Sequence, residues 1–388
     1  LVSTLIHFAM CAMLSSWPSR PSRSSPRSAS RNAVALFLSS LAIFCCSRSF
    51  TVTPKQELQR GALVSKAASS AKSTKPLLSD SISEGHIFVS IAAYADPELP
   101  ATMMSLLSAA DRPELIRFGI VWQGPGSGFQ AEELDELAKL WSLEDVTERF
   151  VNDLQLPHGS VPVWDMLDGR VRSIRMPAED ARGPCWARYL AQLLWDKEEL
   201  QLQLDSHMRF VPGWDRKARE ELNWCGQHSD KPILCSYGAG YSLGTPYWEM
   251  PKDPSQTSVN CANTFDSDGI LLIKARELKS PLQEPTKHYF WGAQFSFSSA
   301  DVLCEVPYDP QLQMLFFGEE ILMAVRFFTH GWDVFTPKEQ LFFHLWERDY
   351  RRVYWKDNRE LFASLLQESQ CRVLSLLETG SSSPSGTA

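Results

Sequence analysis

The stretch from His86 to Trp122 constrains the fold more than any other part of the chain. Residues 86–94 read His-Ile-Phe-Val-Ser-Ile-Ala-Ala-Tyr, a continuous apolar run of the kind that parallel sheets bury on both faces. Asp96-Pro97-Glu98 follow. An acid and a proline there predict a helix over 99–110, with Asp96 as cap and Pro97 in the first turn. Residues 116–122 form a second apolar run. Strand, helix and strand make a βαβ unit, whose crossover is right-handed. The expectation is an α/β fold on a mostly parallel central sheet.

The rest of the chain extends that pattern. Residues 131–143 and 183–195 read as helices, the second with Trp186, Leu190, Leu193 and Leu194 on its apolar side. Residues 171–175 read as a short strand, 214–222 as a helix and 233–237 as a strand. Residues 239–268 are rich in Gly, Pro, Asn, Ser and Asp and read as a long loop. Strands are expected at 269–274, 290–297, 334–335 and 341–346, and helices at 318–328 and 355–378. Residues 380–388 read as a disordered tail. No internal repeat is present.

The 388 residues suffice for one large domain with appendages, and the net charge of −8 gives nucleic acid nothing to bind. None of the nine cysteines forms a CxxC pair, which argues against a zinc knuckle. Cys225, Cys235 and Cys261 suit either a disulfide in an oxidising compartment or free buried thiols. The chain opens on Leu1 rather than Met, as a fragment or a gene-model translation does. Residues 1–32 carry Arg20, Arg23, Arg27 and Arg31 among many serines, and residues 33–46 are apolar but shorter than the roughly 20 residues of a comfortable span. A signal-anchor, a cleaved secretory signal and an organelle transit peptide all fit. The anchor is preferred, with 47–84 as a flexible stem, 85–355 as the catalytic domain and 356–388 as a C-terminal helix and tail.

The chemistry concentrates where an apolar run, Leu202-Gln203-Leu204, stops at Asp205-Ser206-His207. Residues two apart on a strand share a face, so Asp205 and His207 can converge on one ion. A carboxylate with an imidazole suits a Mn²⁺-like cation that also meets phosphate oxygens. Such a triplet also occurs in ordinary surface turns. His344, the polar interruption in Phe342-Phe343-His344-Leu345-Trp346, is the candidate third ligand, though a core histidine looks the same. His330, at a helix end, is the weaker choice.

Open α/β sheets bind ligands beyond the carboxyl ends of their strands. Tyr94, Asp96, Gln123 and the Asp205–His207 pair fall at those ends. Together they suit a nucleotide: a stacked base, a hydrogen bond to base or ribose, and a metal-held diphosphate. No glycine-rich dinucleotide fingerprint or P-loop accompanies them. Glu319 and Glu320 open a helix, where the dipole alone favours acids. The apolar residues before them place one carboxylate in a pocket, against sugar hydroxyls or a developing positive charge. Arg182 and Arg188 can meet phosphate, a carboxylate or solvent. Asp309, in Pro307-Tyr308-Asp309-Pro310, reads as a turn residue.

The strings IFVSIAAYADPEL, FGIVWQ, ARGPCWAR, LQLDSHMRFVPGWD, FWGAQFSFS, EVPYDPQLQMLFFGEEILMAVRFFTHGWDVFTP and FHLWER occur in this order over residues 86–355. In them the chain resembles the protein-hydroxyproline and related polypeptide N-acetylglucosaminyltransferases of protists. More distantly it is similar to the mucin-type polypeptide N-acetylgalactosaminyltransferases. The resemblance implies a GT-A type fold, UDP-GlcNAc as donor, a divalent cation (Mn²⁺), retention of configuration, and a protein acceptor with hydroxyproline or Ser/Thr. It implies that Asp205, His207 and His344 are metal ligands, that Arg188 contacts diphosphate or sugar, and that Glu319 is the sugar-pocket carboxylate. Tyr94, Asp96 and Gln123 fall where such folds hold uridine, although Trp122-Gln123 replaces the acidic pair of the more distant family. Family members are cytoplasmic or Golgi-anchored, and the apolar segment favours the Golgi or another endomembrane. The alternatives left open are a UDP-GalNAc-using transferase, a catalytically degenerate nucleotide-sugar binder and a nucleotide-sugar hydrolase.

Overall fold

The expected βαβ opening is present. β1 (Ile87–Tyr94) is buried almost end to end and runs parallel to β2 (Ile116–Gln123), from Ile87 opposite Ile116 to Tyr94 opposite Gln123. Between them α1 (Leu99–Ser108) lays Leu99, Met103, Leu106 and Leu107 into the core at the spacing of one helix face. The helix starts later than its acid and proline suggest: Glu98 is the N-cap and Pro100 occupies the first turn. Asp96 is a turn residue, and its Oδ1 accepts the Glu98 N–H at 3.1 Å. This computed structural model describes residues 82–378, apart from 157–158, 252–256, 279 and 281.

The chain continues through α2 (Ala131–Leu140), β3 (Glu148–Leu156), β4 (Gly159–Met166), β5 (Val171–Met176), α3 (Pro184–Gln192), β6 (Leu200–Leu204), β7 (Met208–Phe210), α4 (Trp214–Gly226), β8 (Pro232–Cys235) and β9 (Ala239–Gly240). It closes with β10 (Ser258–Phe265), β11 (Leu271–Glu277), β12 (Thr286–His288), β13 (Phe295–Ser299), α5 (Asp301–Glu305), α6 (Glu319–Thr329), β14 (Asp333–Thr336), β15 (Phe342–His344), α7 (Tyr354–Asp357) and α8 (Arg359–Glu378). One sheet holds ten strands in the order β12-β14-β8-β13-β6-β1-β2-β5-β4-β3. Pairing directions make β14, β8, β6, β1, β2, β5 and β3 run one way, against β12, β13 and β4. The sheet is thus mostly parallel, and the fold is α/β as expected.

Two regions depart from the sequence reading. The hairpin of β3 and β4 carries mixed, largely exposed residues with no clean alternation, so periodicity does not reveal it. The expected loop over 239–268 contains β10, which pairs with β11. Its Ser-Val-Asn-Cys-Ala-Asn-Thr-Phe sequence is too polar to read as a strand until β11 supplies a partner. The aromatic run at 290–297 becomes a strand only from Phe295, after Trp291 has turned into the core.

A small second sheet, β7-β15-β9, stands at the end of the large one. It matters because β15 places His344 opposite Met208, one residue beyond His207. α1 holds this junction from behind. Thr102 Oγ1 donates to Ser206 O and accepts the Met208 N–H, both at 2.8 Å, while Ser105 Oγ accepts the Phe210 N–H. Cys185, Cys225, Cys235, Cys261, Cys304 and Cys371 are all free, so the disulfide alternative is not realised among them.

Residues 76–374 form one compact unit; of the other, residues 1–75 with 375–388, only 375–378 are described. The segments assigned to an Arg/Ser-rich start and an apolar anchor lie outside the described residues, as does the tail beyond 378. Of the expected stem, only 82–84 are described. They form a helical turn whose Ile82 is buried and whose carbonyl accepts from Arg219 at 2.6 Å. No described helix is long and apolar enough to cross a membrane.

Candidate active site

β6 alternates Leu and Gln, and both faces are buried. The glutamines survive burial because they are bonded: Gln203 Nε2 donates to Ala293 O at 2.8 Å and Gln201 Nε2 to Ser296 O at 3.3 Å. The strand ends at Leu204, and Asp205, Ser206 and His207 form the turn into β7. Leu345 N–H donates to His207 O at 3.1 Å, which fastens β15 beside that turn.

Asp205, His207 and His344 therefore meet, with ligand-capable atoms all within 4.8 Å of one another. His344 Nε2 lies 3.3 Å from Asp205 Oδ2, and the two imidazole centroids are 4.7 Å apart. Burial, against the pull of the Asp205 hydrogen bond, lowers His344 to about 4, so its ring is neutral at pH 7. Its Nδ1 is buried without a partner. One carboxylate and two imidazoles fit a divalent transition cation.

Asp96 stands behind this group. His207 Nδ1 donates to its Oδ2 at 2.8 Å and Ser206 Oγ to the same atom at 2.7 Å. Tyr350 OH adds a donor at 3.2 Å, and Arg351 Nε lies 3.6 Å away. Burial opposes the Asp96 charge, but these partners prevail and hold the carboxyl below its ordinary value. A carboxylate on Nδ1 fixes the tautomer and leaves Nε2 of His207 as its ligand-capable nitrogen. Asp96, expected beside uridine, is fully buried and is not among the residues that line the cavity.

Arg188 links the triad to α6. Its Nη2 donates to Asp205 Oδ1 at 2.7 Å, and its Nη1 to Glu319 Oε1 and Oε2 at 2.5 and 2.6 Å. Tyr308 OH also donates to Glu319 Oε1 at 2.6 Å. Burial opposes the Asp205 charge, but His344 and Arg188 outweigh it and keep the carboxyl well below the usual range. α3 delivers Arg188 because Gly183 begins the helix at φ +86°, and a Cβ there would stand 2.8 Å from Met314 Cα. Arg188 and Glu319 line the cavity; Arg188 Nη1 and Nη2 and the Glu319 carboxylate bond to one another, to Asp205 and to Tyr308, while Arg188 Nε is buried without a partner.

The cavity has a volume of about 410 Å³. The triad, Arg188 and Glu319 line it together with Tyr94 and Gln123. Tyr94 OH donates to Asp357 Oδ2 at 2.8 Å, which anchors the ring. Gln123 Nε2 donates to Ala93 O at 3.4 Å, whereas its Oε1 is buried without a partner.

Residues 86–387 match the profile of a family described as Glycosyltransferase (GlcNAc). The chain belongs to this family. The chain matches no curated protein sequence. It is similar to a solved structure titled GalNAc-T7 with UDP, GalNAc and Mn²⁺, at 14% identity and TM-score 0.45, covering 86% of this chain and 57% of that one. It is also similar to S. aureus TarS 1–349, at 12% identity and TM-score 0.37, covering 75% of this chain and 70% of that one. The chain thus spans little more than half the length of the first of these.

Other candidates lie elsewhere. His330 is exposed at the end of α6, with Nδ1 2.8 Å from Arg326 O. Asp309 pairs with Arg372 at 2.6 Å and holds its own turn through the Gln311 N–H. Arg182 donates to the carbonyls of Glu179 and Ala181. Sequence reasoning missed Tyr237, Arg348 and Arg351, which line the cavity, and it expected one carboxylate of the Glu319–Glu320 pair there where both line it. Tyr237 OH donates to Glu320 Oε1 at 2.5 Å. Arg348 stacks over Phe316 and Trp355, 5.0 and 5.8 Å from their centroids. The Arg-rich run 348–352 was the available signal.

Proposed function

We propose that this transferase moves N-acetylglucosamine from UDP-GlcNAc to a hydroxyl of a polypeptide, hydroxyproline or Ser/Thr, in a Mn²⁺-dependent reaction. The observation that carries the reading is the convergence of Asp205, His207 and His344 on the wall of a cavity large enough for a ligand of this class. The choice of GlcNAc, the polypeptide acceptor and retention of configuration rest on the sequence resemblance. An endomembrane location with residues 33–46 as anchor belongs to the same proposal.

In this reading Asp205, His207 and His344 hold the cation. The bound ion supplies a Lewis acid for the charge on the departing diphosphate. Asp96 orients His207, and Arg188, itself held by Glu319, orients Asp205. Gln123 offers its free Oε1 to an N–H on the pyrimidine edge. Arg348 and Arg351 face the cavity as guanidinium groups suited to phosphate oxygens. Such donors hold the diphosphate of the bound donor and thereby set affinity for it.

The test is UDP release from a panel of UDP-sugars by residues 76–388, with and without Mn²⁺. Mn²⁺-dependent release selective for UDP-GlcNAc is expected. Equal release without added metal and after chelation would remove the metal role, and selectivity for UDP-GalNAc would reassign the donor.

A further inference from the structure

One wall of the cavity consists of five consecutive residues, Leu271 to Ala275 of β11. Side chains of a strand alternate between faces, so an unbroken run on one cavity indicates that the strand presents its backbone edge. The hydrogen-bond phase fixes which groups lie on that edge. Leu278 N–H donates to Thr257 O at 3.0 Å, which makes 278 and 257 a hydrogen-bonded pair. The register continues without interruption from Glu277 opposite Ser258 to Ile273 opposite Ala262. Antiparallel pairs alternate between bonded and non-bonded. Arg276 and Lys274 therefore turn their N–H and C=O groups toward β10, and Ala275 and Ile273 turn theirs away from it. Among the described residues no strand pairs with that outer side.

Lys274 and Arg276 share one face of β11 and are both exposed, so the edge carries two positive charges beside its free backbone groups. Phe317 and Trp346, 56% and 48% exposed, line the same cavity. The edge is continuous with the cavity that holds the triad.

We propose that the acceptor polypeptide binds as an added strand on the free edge of β11. It exchanges backbone hydrogen bonds with Ile273 and Ala275 and sets acidic residues against Lys274 and Arg276. Main-chain bonds then supply affinity and alternate side chains supply selectivity. The two-residue repeat of an extended strand points the hydroxyl-bearing residue either into the cavity or away from it. This inference rests on the transferase reading above and names how its acceptor is held.

The test uses the wild-type enzyme with Mn²⁺ and UDP-GlcNAc. The probes are nonapeptides with a central Thr or hydroxyproline, flanked by Glu or by Lys. Each is compared with versions N-methylated at successive backbone nitrogens. The expected result is a period of two: methylation at alternate positions lowers kcat/KM about tenfold, while the positions between stay within about twofold. Glu-flanked peptides are preferred over Lys-flanked ones, and Arg276→Glu inverts that preference. A flat methylation profile, or transfer to simple glycosides but to no peptide, overturns strand addition. Mn²⁺-dependent UDP binding is measured alongside. If it persists while the profile is flat, only strand addition falls; if it is absent, the donor reading falls and the acceptor proposal with it.

Discussion

The two walls of the cavity are built on opposite principles. On the wall at the sheet end, charged groups are bonded to fixed partners: Asp96 to His207, Asp205 to Arg188 and His344, and Glu319 to Arg188 and Tyr308. The other wall is Phe317, Trp346 and Arg348, all exposed, with the Trp346 and His344 ring centroids 4.4 Å apart and Arg348 touching aromatic faces. A network complete before ligand arrives has little reorganisation left to do. A wall of exposed rings and cations takes its final order from the ligand. One wall is therefore expected to govern turnover and stability together, and the other to govern affinity alone.

Breaking the first wall gives the largest effects. Asp205→Asn keeps an oxygen for Arg188 but removes the charge that a cation needs. Turnover should fall about a thousandfold, and the transition in denaturant should stay close to that of the wild type. Severe unfolding would make Asp205 structural instead. Arg188→Met should do the reverse in stability. It removes the cation shared by Asp205 and the buried Glu319 and leaves the Glu319 carboxylate without its ion pair, at a cost of about 3–5 kcal/mol. Urea unfolding measures this directly. Midpoints matching the wild type would show that the first wall is not a coupled network.

Glu320, which also lines the cavity, sharpens the contrast through pH. Its Oε1 accepts from Tyr237 OH and from the Ala293 N–H. Burial nevertheless lifts it from 4.5 to about 7. The folded state then binds more protons than the unfolded chain between those two values. Stability should fall as pH rises across that window, by up to about 3 kcal/mol, and level off above it. Glu320→Gln should flatten this part of the curve. An equal slope in both proteins would assign it to other groups.

What the sequence disclosed follows the same division. β1, β2 and β6 are buried on both faces, so their apolar runs are explicit, and the Asp205–His207 turn is visible because it ends such a run. His344 is legible as the polar break in a late strand. Its convergence with His207 depends on the pairing of β15 with β7, which periodicity does not encode. Asp96 looked like a helix cap with a ligand role. Only the fold places it on Nδ1 of His207, because the partners are 111 residues apart. β11 is legible in the apolar run at 269–274, but its partner β10 stayed hidden because a half-exposed strand draws its order from cross-strand pairing more than from composition.

The smallest expected effect belongs to the second wall. Arg348 is exposed and rests on Phe316 and Trp355, so Arg348→Ala should change stability by no more than about 0.5 kcal/mol. Its loss should raise the KM for UDP-GlcNAc about tenfold and leave kcat nearly unchanged, because a contact made equally to bound donor and transition state affects binding alone. Salt separates this from a change in packing. An exposed guanidinium acting on phosphate is screened over about 10 Å at 0.1 M ionic strength. The wild-type KM should therefore climb with added salt more steeply than that of the variant, and the two should converge at high salt. If kcat falls with KM unchanged, Arg348 acts in the transition state, and the division between a wall for turnover and a wall for affinity fails at this residue.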